Sequence, residues 1–213
     1  MLPDDLLLDI FDCYKDDRAN RKNFAWRWIT LIQVCRRWRH LIFESPRRLD
    51  LQLVCTPTTP TKGLLDFWPQ LPFIVYYRSY SSYLWMVGVE NLLTALECRD
   101  RTSLIYVSSL HRSELRRFIA VLNKPFPILT KVSLEIAKYD SALVLPETFL
   151  GGSAPSLRSF SLASIRFPTF PRFILSSTHI VRLSLNHVGY FPPEVMASCL
   201  AALPKLKYFH IGS

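Results

Sequence analysis

The chain has 213 residues, 49% hydrophobic and 20% charged, with a formal net charge of +9; this balance excludes a disordered chain and supplies apolar side chains for a sizeable core. No apolar run reaches the roughly 18 residues of a membrane span, and the acidic opening Met1-Leu2-Pro3-Asp4-Asp5 is unlike a secretory peptide. The cysteines Cys13, Cys35, Cys55, Cys98 and Cys199 are odd in number and contain no C-x-x-C pair, which favours a reducing, cytoplasmic or nuclear compartment.

Pro3 suits the first turn of a helix, and Asp4 and Asp5 complement its positive end. Leu6, Leu7, Ile10, Phe11 and Tyr14 recur at three- and four-residue spacing, which predicts a helix over 3–14. Residues 15–25 are polar and basic and read as a loop. A second helix is expected from about Trp28 to Phe43, with Leu31, Val34, Cys35, Trp38, Leu41 and Ile42 on its apolar side, stopped by Ser45-Pro46. Cys13 and Cys35 fall within these apolar patterns and read as small core residues. Much of the positive charge lies here, as Lys15, Arg18, Arg21, Lys22, Arg27, Arg36, Arg37, Arg39 and Arg47. Nucleic acid is one partner for such a cluster and an acidic protein is another. Trp26, Trp28 and Trp38 fit a packed helical pair, so nucleic acid is the least favoured.

From Leu49 the pattern changes. Leu49, Leu51 and Leu53 alternate like a strand, Pro57, Pro60, Pro69 and Pro72 divide the next stretch of chain, and Phe73 to Tyr77 suggests another short strand. Beyond this junction an apolar residue is repeatedly succeeded by others three and five positions on: Leu129, Val132, Leu134; Leu157, Phe160, Leu162; Ile180, Leu183, Leu185; Leu206, Phe209, Ile211. Thr102, Ile105 and Val107 form a weaker copy. The spacing, about 23 to 28 residues, lies in the repeat range. Return segments are expected at 89–97, 113–123, 146–150, 171–176 and 193–203. Residues between the inward positions then share one surface: Tyr106, Ser108, Lys131, Ser133, Glu135, Ser159, Ser161, Arg182, Ser184, Asn186, Tyr208 and His210. The chain stops at Ser213 on a strand without a polar cap, which reads as a fragment or an exposed edge.

Two segments carry a resemblance. Leu2-Pro3-Asp4-Asp5-Leu6-Leu7-Leu8-Asp9-Ile10-Phe11 and Leu31-Ile32-Gln33-Val34-Cys35-Arg36-Arg37-Trp38-Arg39-His40-Leu41 resemble, in order, the two halves of the F-box, and the Ser45–Leu51 continuation is similar to that of fungal, basidiomycete-type members. The segment from Lys15 to Ile29 is longer and more basic than the family's usual inter-helix stretch. The later pattern resembles degenerate leucine-rich repeats. The resemblance implies docking on a Skp1-like adaptor of a cullin-RING ubiquitin ligase, with Leu2, Pro3, Leu6, Ile10, Leu31, Val34, Cys35 and Trp38 as adaptor contacts. It also implies a target protein held through Tyr106, Lys131, Ser133, Glu135, Arg182, Ser184, Asn186, Tyr208 and His210. The expected fold is α+β: an N-terminal all-α F-box-like helical module over 1–46, a junction with short strands over 47–88, and an irregular leucine-rich repeat-like α/β solenoid over 89–213. A plain α/β domain is the alternative.

No catalytic constellation is visible. G-x-S-x-G, a Walker loop, a dinucleotide glycine fingerprint and H-E-x-x-H are all absent, Gly151-Gly152 reads as a turn, and His40, His111, His179, His187 and His210 are isolated. The expectation is a non-enzymatic adaptor with no cofactor, metal or membrane partner. A stand-alone repeat scaffold and a basic nucleic-acid binder are the alternatives.

Overall fold

The computed structural model describes residues 2–15, 24–78, 88–110, 112–136, 144–166 and 172–212. Arg18, Arg21, Lys22 and His111, and the side chains of Trp26 and Arg27, lie outside them. Three helices lead, α1 (Asp4–Lys15), α2 (Phe24–Val34) and α3 (Arg36–Glu44). Then come β1 (Leu53–Cys55), α4 (Thr61–Phe67), β2 (Phe73–Arg78), α5 (Val89–Glu97), β3 (Thr102–Leu110), α6 (Arg112–Leu122) and β4 (Lys131–Ile136). A single turn, Phe149–Gly152, precedes β5 (Ser159–Ala163), α7 (Arg172–Ser176), β6 (Arg182–Asn186), α8 (Pro193–Ala201) and β7 (Tyr208–Gly212). None of the described helices is long and apolar enough to cross a membrane.

This overturns the expected α+β division into an all-α module and a repeat solenoid. The molecule is an α/β protein built on one seven-stranded sheet, parallel throughout, with its strands in sequence order. The sheet starts at Leu53, inside the predicted junction, and the units between strands are unequal among the described residues: nine residues in α5, eleven in α6, five in α7 and a single turn before β5. Nor do the leading helices have a core of their own. Leu7, Leu8, Phe11, Trp28, Ile29, Leu31, Ile32 and Ile42 belong to the same buried cluster as Leu53, Phe73 and the later strands. A short helical pair exposes too much apolar surface to be stable alone, so it is completed by packing on the sheet's first edge.

The three-and-five spacing marks β3 to β7. Ile105, Val132, Phe160, Leu183 and Phe209 are register partners in one row; Val107, Leu134, Leu162, Leu185 and Ile211 form the next. Both rows are buried through β6 and become exposed only on the edge strand, where Phe209 is 38% and Ile211 48% accessible. Parallel strands need crossovers on a sheet face; here the described ones cover the apolar rows and leave the alternate residues at least partly exposed, except Ser108, which was expected on that surface and is buried at 4%.

Two local expectations are corrected. The predicted helix Trp28–Phe43 is broken at Cys35, which is extended (φ −159, ψ 169) and starts α3. Arg39 Nε donates to the Ile32 carbonyl at 3.0 Å, satisfying one of the acceptors that the end of α2 leaves free. The break turns Trp38 onto Phe11, edge to face at 5.0 Å. Cys13 and Cys35, expected in the core, are exposed; helical periodicity admits them to the apolar pattern, but α1 buries only its Leu7, Leu8, Phe11 side.

Candidate functional site

The α1 helix is apolar on two sides. Leu7, Leu8 and Phe11 are buried, whereas Leu2, Leu6, Ile10 and Tyr14 are 43–47% exposed. The four-residue spacing of Leu6, Ile10 and Tyr14 places them one above another along the helix, and Leu2 lies in the segment that leads into it. Val34, the last residue of α2, is 56% exposed and Cys35 follows it to the surface. The start of α3 is tied to the start of α1 by Arg37, whose guanidinium donates to the Asp4 carboxylate (Nε, 3.1 Å) and to the Leu2 carbonyl. Along the opposite flank Arg48 lies within ion-pair reach of Asp5, Asp9 and Asp12. Of the predicted adaptor contacts, Leu2, Pro3, Leu6, Ile10, Val34 and Cys35 are at the surface. Leu31 is 7% exposed and belongs to the core, and Trp38 is half-buried against Phe11. Trp38 packs on the buried Phe11 of the same helix, and Tyr14 extends the exposed stripe beyond the predicted adaptor contacts.

The basic cluster is largely engaged within the fold where its side chains are described. Arg37, Arg39 and Arg48 are bound to Asp4, the Ile32 carbonyl and the α1 aspartates respectively, while Arg36 and Arg47 are exposed.

The second surface is the uncovered face of the sheet. Register brings the predicted target contacts into three rows: Lys131, Ser159, Arg182 and Tyr208; Tyr106, Ser133, Ser161, Ser184 and His210; and Ser108, Glu135, Ala163, Asn186 and Gly212. Tyr76 of β2, not anticipated from sequence, stacks on Tyr106 with centroids 5.0 Å apart and planes 10° from parallel. At the other side of the sheet the Arg182 guanidinium lies 4.9 Å over the Tyr208 ring, an arrangement that holds a cation beside an aromatic without neutralising it. The Ser108 hydroxyl donates to Glu135 at 2.8 Å, so that carboxylate is occupied in part by the protein. Small serines between tyrosine-bearing ends make a shallow polar floor suited to an extended chain.

The thiols divide by environment. Burial pushes Cys55 up to about 12 and raises Cys98 and Cys199 as well, whereas Cys13 and Cys35 are exposed. Only the thiolate reacts. An aromatic disulfide reagent near neutral pH is therefore expected to modify Cys13 and Cys35 in the native protein, with Cys55 reacting only after unfolding. Peptide mapping showing Cys55 labelled as fast as Cys13 would contradict this burial.

No known protein family, curated protein or solved structure matches the chain.

Proposed function

We propose that the chain is a substrate-recognition subunit of a Skp1–cullin–F-box-type ubiquitin ligase, docking on a Skp1-like adaptor through the α1 stripe and holding a target protein on the uncovered sheet face. It performs no chemistry itself and acts by proximity. The observation that carries the reading is the exposed row Leu2, Leu6, Ile10 and Tyr14, continued by Val34 and Cys35. The F-box-like residues that the fold does not bury are those a partner would cover, and clustered exposed apolar side chains mark such surfaces.

Copurification with Skp1 tests it, using Leu6→Arg and Ile10→Arg because both side chains are exposed and lie outside the buried cluster. A central apolar anchor is worth about 2 kcal/mol or more, so each change is expected to weaken adaptor binding by roughly thirtyfold without altering the circular dichroism spectrum. Absence of binding by the folded wild type would sink the reading and favour a stand-alone scaffold.

A further inference from the structure

Four strands of the sheet start at cations. Lys131 and Arg182 are the first residues of β4 and β6; Arg158 and Lys207 immediately precede β5 and β7. Arg158, Arg182 and Lys207 are exposed and Lys131 is half-buried. The cations occupy two adjoining rows: backbone bonds align Arg158 and Lys207 with Thr130 and Val181 (Arg158 N–H to the Thr130 carbonyl and Val181 N–H to Arg158, both 2.8 Å; Lys207 N–H to Val181, 2.9 Å), and Lys131 and Arg182 stand one residue further into their strands, with Arg182 N–H donating to the Arg158 carbonyl at 3.0 Å. Neighbouring strands lie about 4.8 Å apart, so the four charges form a ledge spanning three strand spacings, roughly 14 Å.

The ledge has no counter-charge of its own. Segments 125–131, 152–159, 176–182 and 203–208, which lead into the four strands, contain no Asp or Glu, and Glu135 is the one acidic residue within the strands β4–β7. Among the described residues none of the four cations pairs with a carboxylate; the contact Arg182 makes is with the Tyr208 ring. Beside Arg158 a hollow of about 410 Å³ is lined by Ile128, Thr130, Pro155, Ser156, Arg158 and His179. The Thr130 and Ser156 hydroxyls donate to the Ser103 and Pro127 carbonyls. Arg158 is left as a donor for a guest, and His179, whose Nδ1 is engaged with Thr178 Oγ1 at 3.2 Å, adds its Nε2 as a second donor in the tautomer in which Nδ1 accepts from the hydroxyl or when the ring is protonated.

We propose that this ledge binds a carboxylate-rich extended segment of a partner protein, laid across the starts of β4–β7 with one acidic side chain seated in the hollow against Arg158 and His179. The proposal rests on the target-binding half of the function above and is independent of adaptor docking. An acidic peptide is favoured over single-stranded nucleic acid because the hollow contains no Phe, Tyr or Trp ring to serve as a stacking platform, and its one imidazole, His179, is engaged with Thr178. Tyr208, the exposed aromatic of the lead-in segments, already lies under Arg182.

Fluorescence anisotropy of a fluorescein-labelled oligoglutamate peptide with the full chain tests the proposal, beside oligoglutamine and oligothymidylate of equal length. The peptide is expected to bind at low salt and to weaken as salt rises. Arg158→Glu/Arg182→Glu should lose at least tenfold in affinity, and Lys207→Glu alone severalfold. Arg36→Glu/Arg47→Glu, with the same change in net charge on exposed sites outside the ledge, should stay within twofold of wild type. No oligoglutamate binding by the folded wild type, an equal loss in both double variants, or tighter binding of oligothymidylate would each overturn the ledge. Skp1 copurification of the ledge variant separates the two readings: adaptor binding retained beside a failed wild-type peptide arm removes the ledge and leaves adaptor docking standing.

Discussion

Replacing Phe160 by alanine is expected to destabilise the protein by about 3–5 kcal/mol, the range for removing a fully enclosed phenyl ring. Phe160 on β5 meets Phe149 from the single turn at a centroid distance of 6.4 Å and Phe173 from α7 at 5.0 Å, and Phe149 and Phe173 are 5.3 Å apart. All three side chains are fully buried. Among the described residues, the crossover into β5 has the turn Phe149–Gly152 where the others have helices. The three rings pack on one another, so truncating one removes contacts from the other two. For a chain of this size the melting temperature should fall by about 10 °C. Urea unfolding followed by circular dichroism gives the free energy directly, and a loss below about 1 kcal/mol would show that the rings are not close-packed. Phe173→Ala should be non-additive with it, since the two rings share one cavity. Ile211→Ala, on the open edge strand and 48% exposed, should cost far less.

The strands β3 to β7 were legible because β4, β5 and β6 repeat one physical requirement, which β3 meets with Thr102 in the first place and β7 repeats in pattern on the exposed edge. A buried apolar residue closes the preceding turn, and two more at alternate positions enter the core, as with Leu157, Phe160 and Leu162. Unequal connections were not legible. Pro57 and Pro60 read as breaks, yet Pro60 directly precedes α4, whose Leu64 and Leu65 are buried; proline is tolerated at a helix start as well as at its end. The break at Cys35 had no local signal either, since neither Pro nor Gly is present. It is fixed by tertiary contacts, Trp38 on Phe11 and Arg39 on the Ile32 carbonyl. The continuity of the core from α1 into the sheet depends on such contacts, which is why the sequence suggested two units and the structure has one.

The candidate surfaces were legible to different degrees. Helical periodicity placed Leu6, Leu7, Ile10 and Phe11 in one stripe, but at 100° per residue it does not say which edge of a broad stripe is covered. Burial separates Leu7 and Phe11 from Leu6 and Ile10. On the sheet, period-two alternation identified the uncovered residues from Lys131 to His210, while the stacking of Tyr76 on Tyr106 required the register of β2. The hollow beside Arg158 unites residues from three separate lead-in turns, a juxtaposition that only the strand order creates.

Gly88→Ala is expected to cost about 2–3 kcal/mol, from two sources. Gly88 precedes α5 with φ +115, and a β-carbon there would run into the carbonyl of Pro57. The left-handed backbone alone costs an L-residue about 1–2 kcal/mol. Relieving the clash means displacing the Pro57 loop, which also breaks the bond from Asn91 Nδ2 to the Pro57 carbonyl at 2.8 Å, worth about 1 kcal/mol. Two further glycines separate these contributions. Gly152 has φ +72 with nothing within 4 Å of an added β-carbon, so Gly152→Ala should show the conformational cost alone, about 1 kcal/mol. Gly63 lies inside α4 in open space, and Gly63→Ala should stabilise by about 0.5–1 kcal/mol through helix propensity and a less flexible unfolded chain. Urea midpoints therefore should fall in the order Gly63→Ala, wild type, Gly152→Ala, Gly88→Ala. A Gly88→Ala midpoint equal to that of Gly152→Ala would mean that the Pro57 loop yields freely, and that α5 is not clamped to the β1–α4 connection at its first residue.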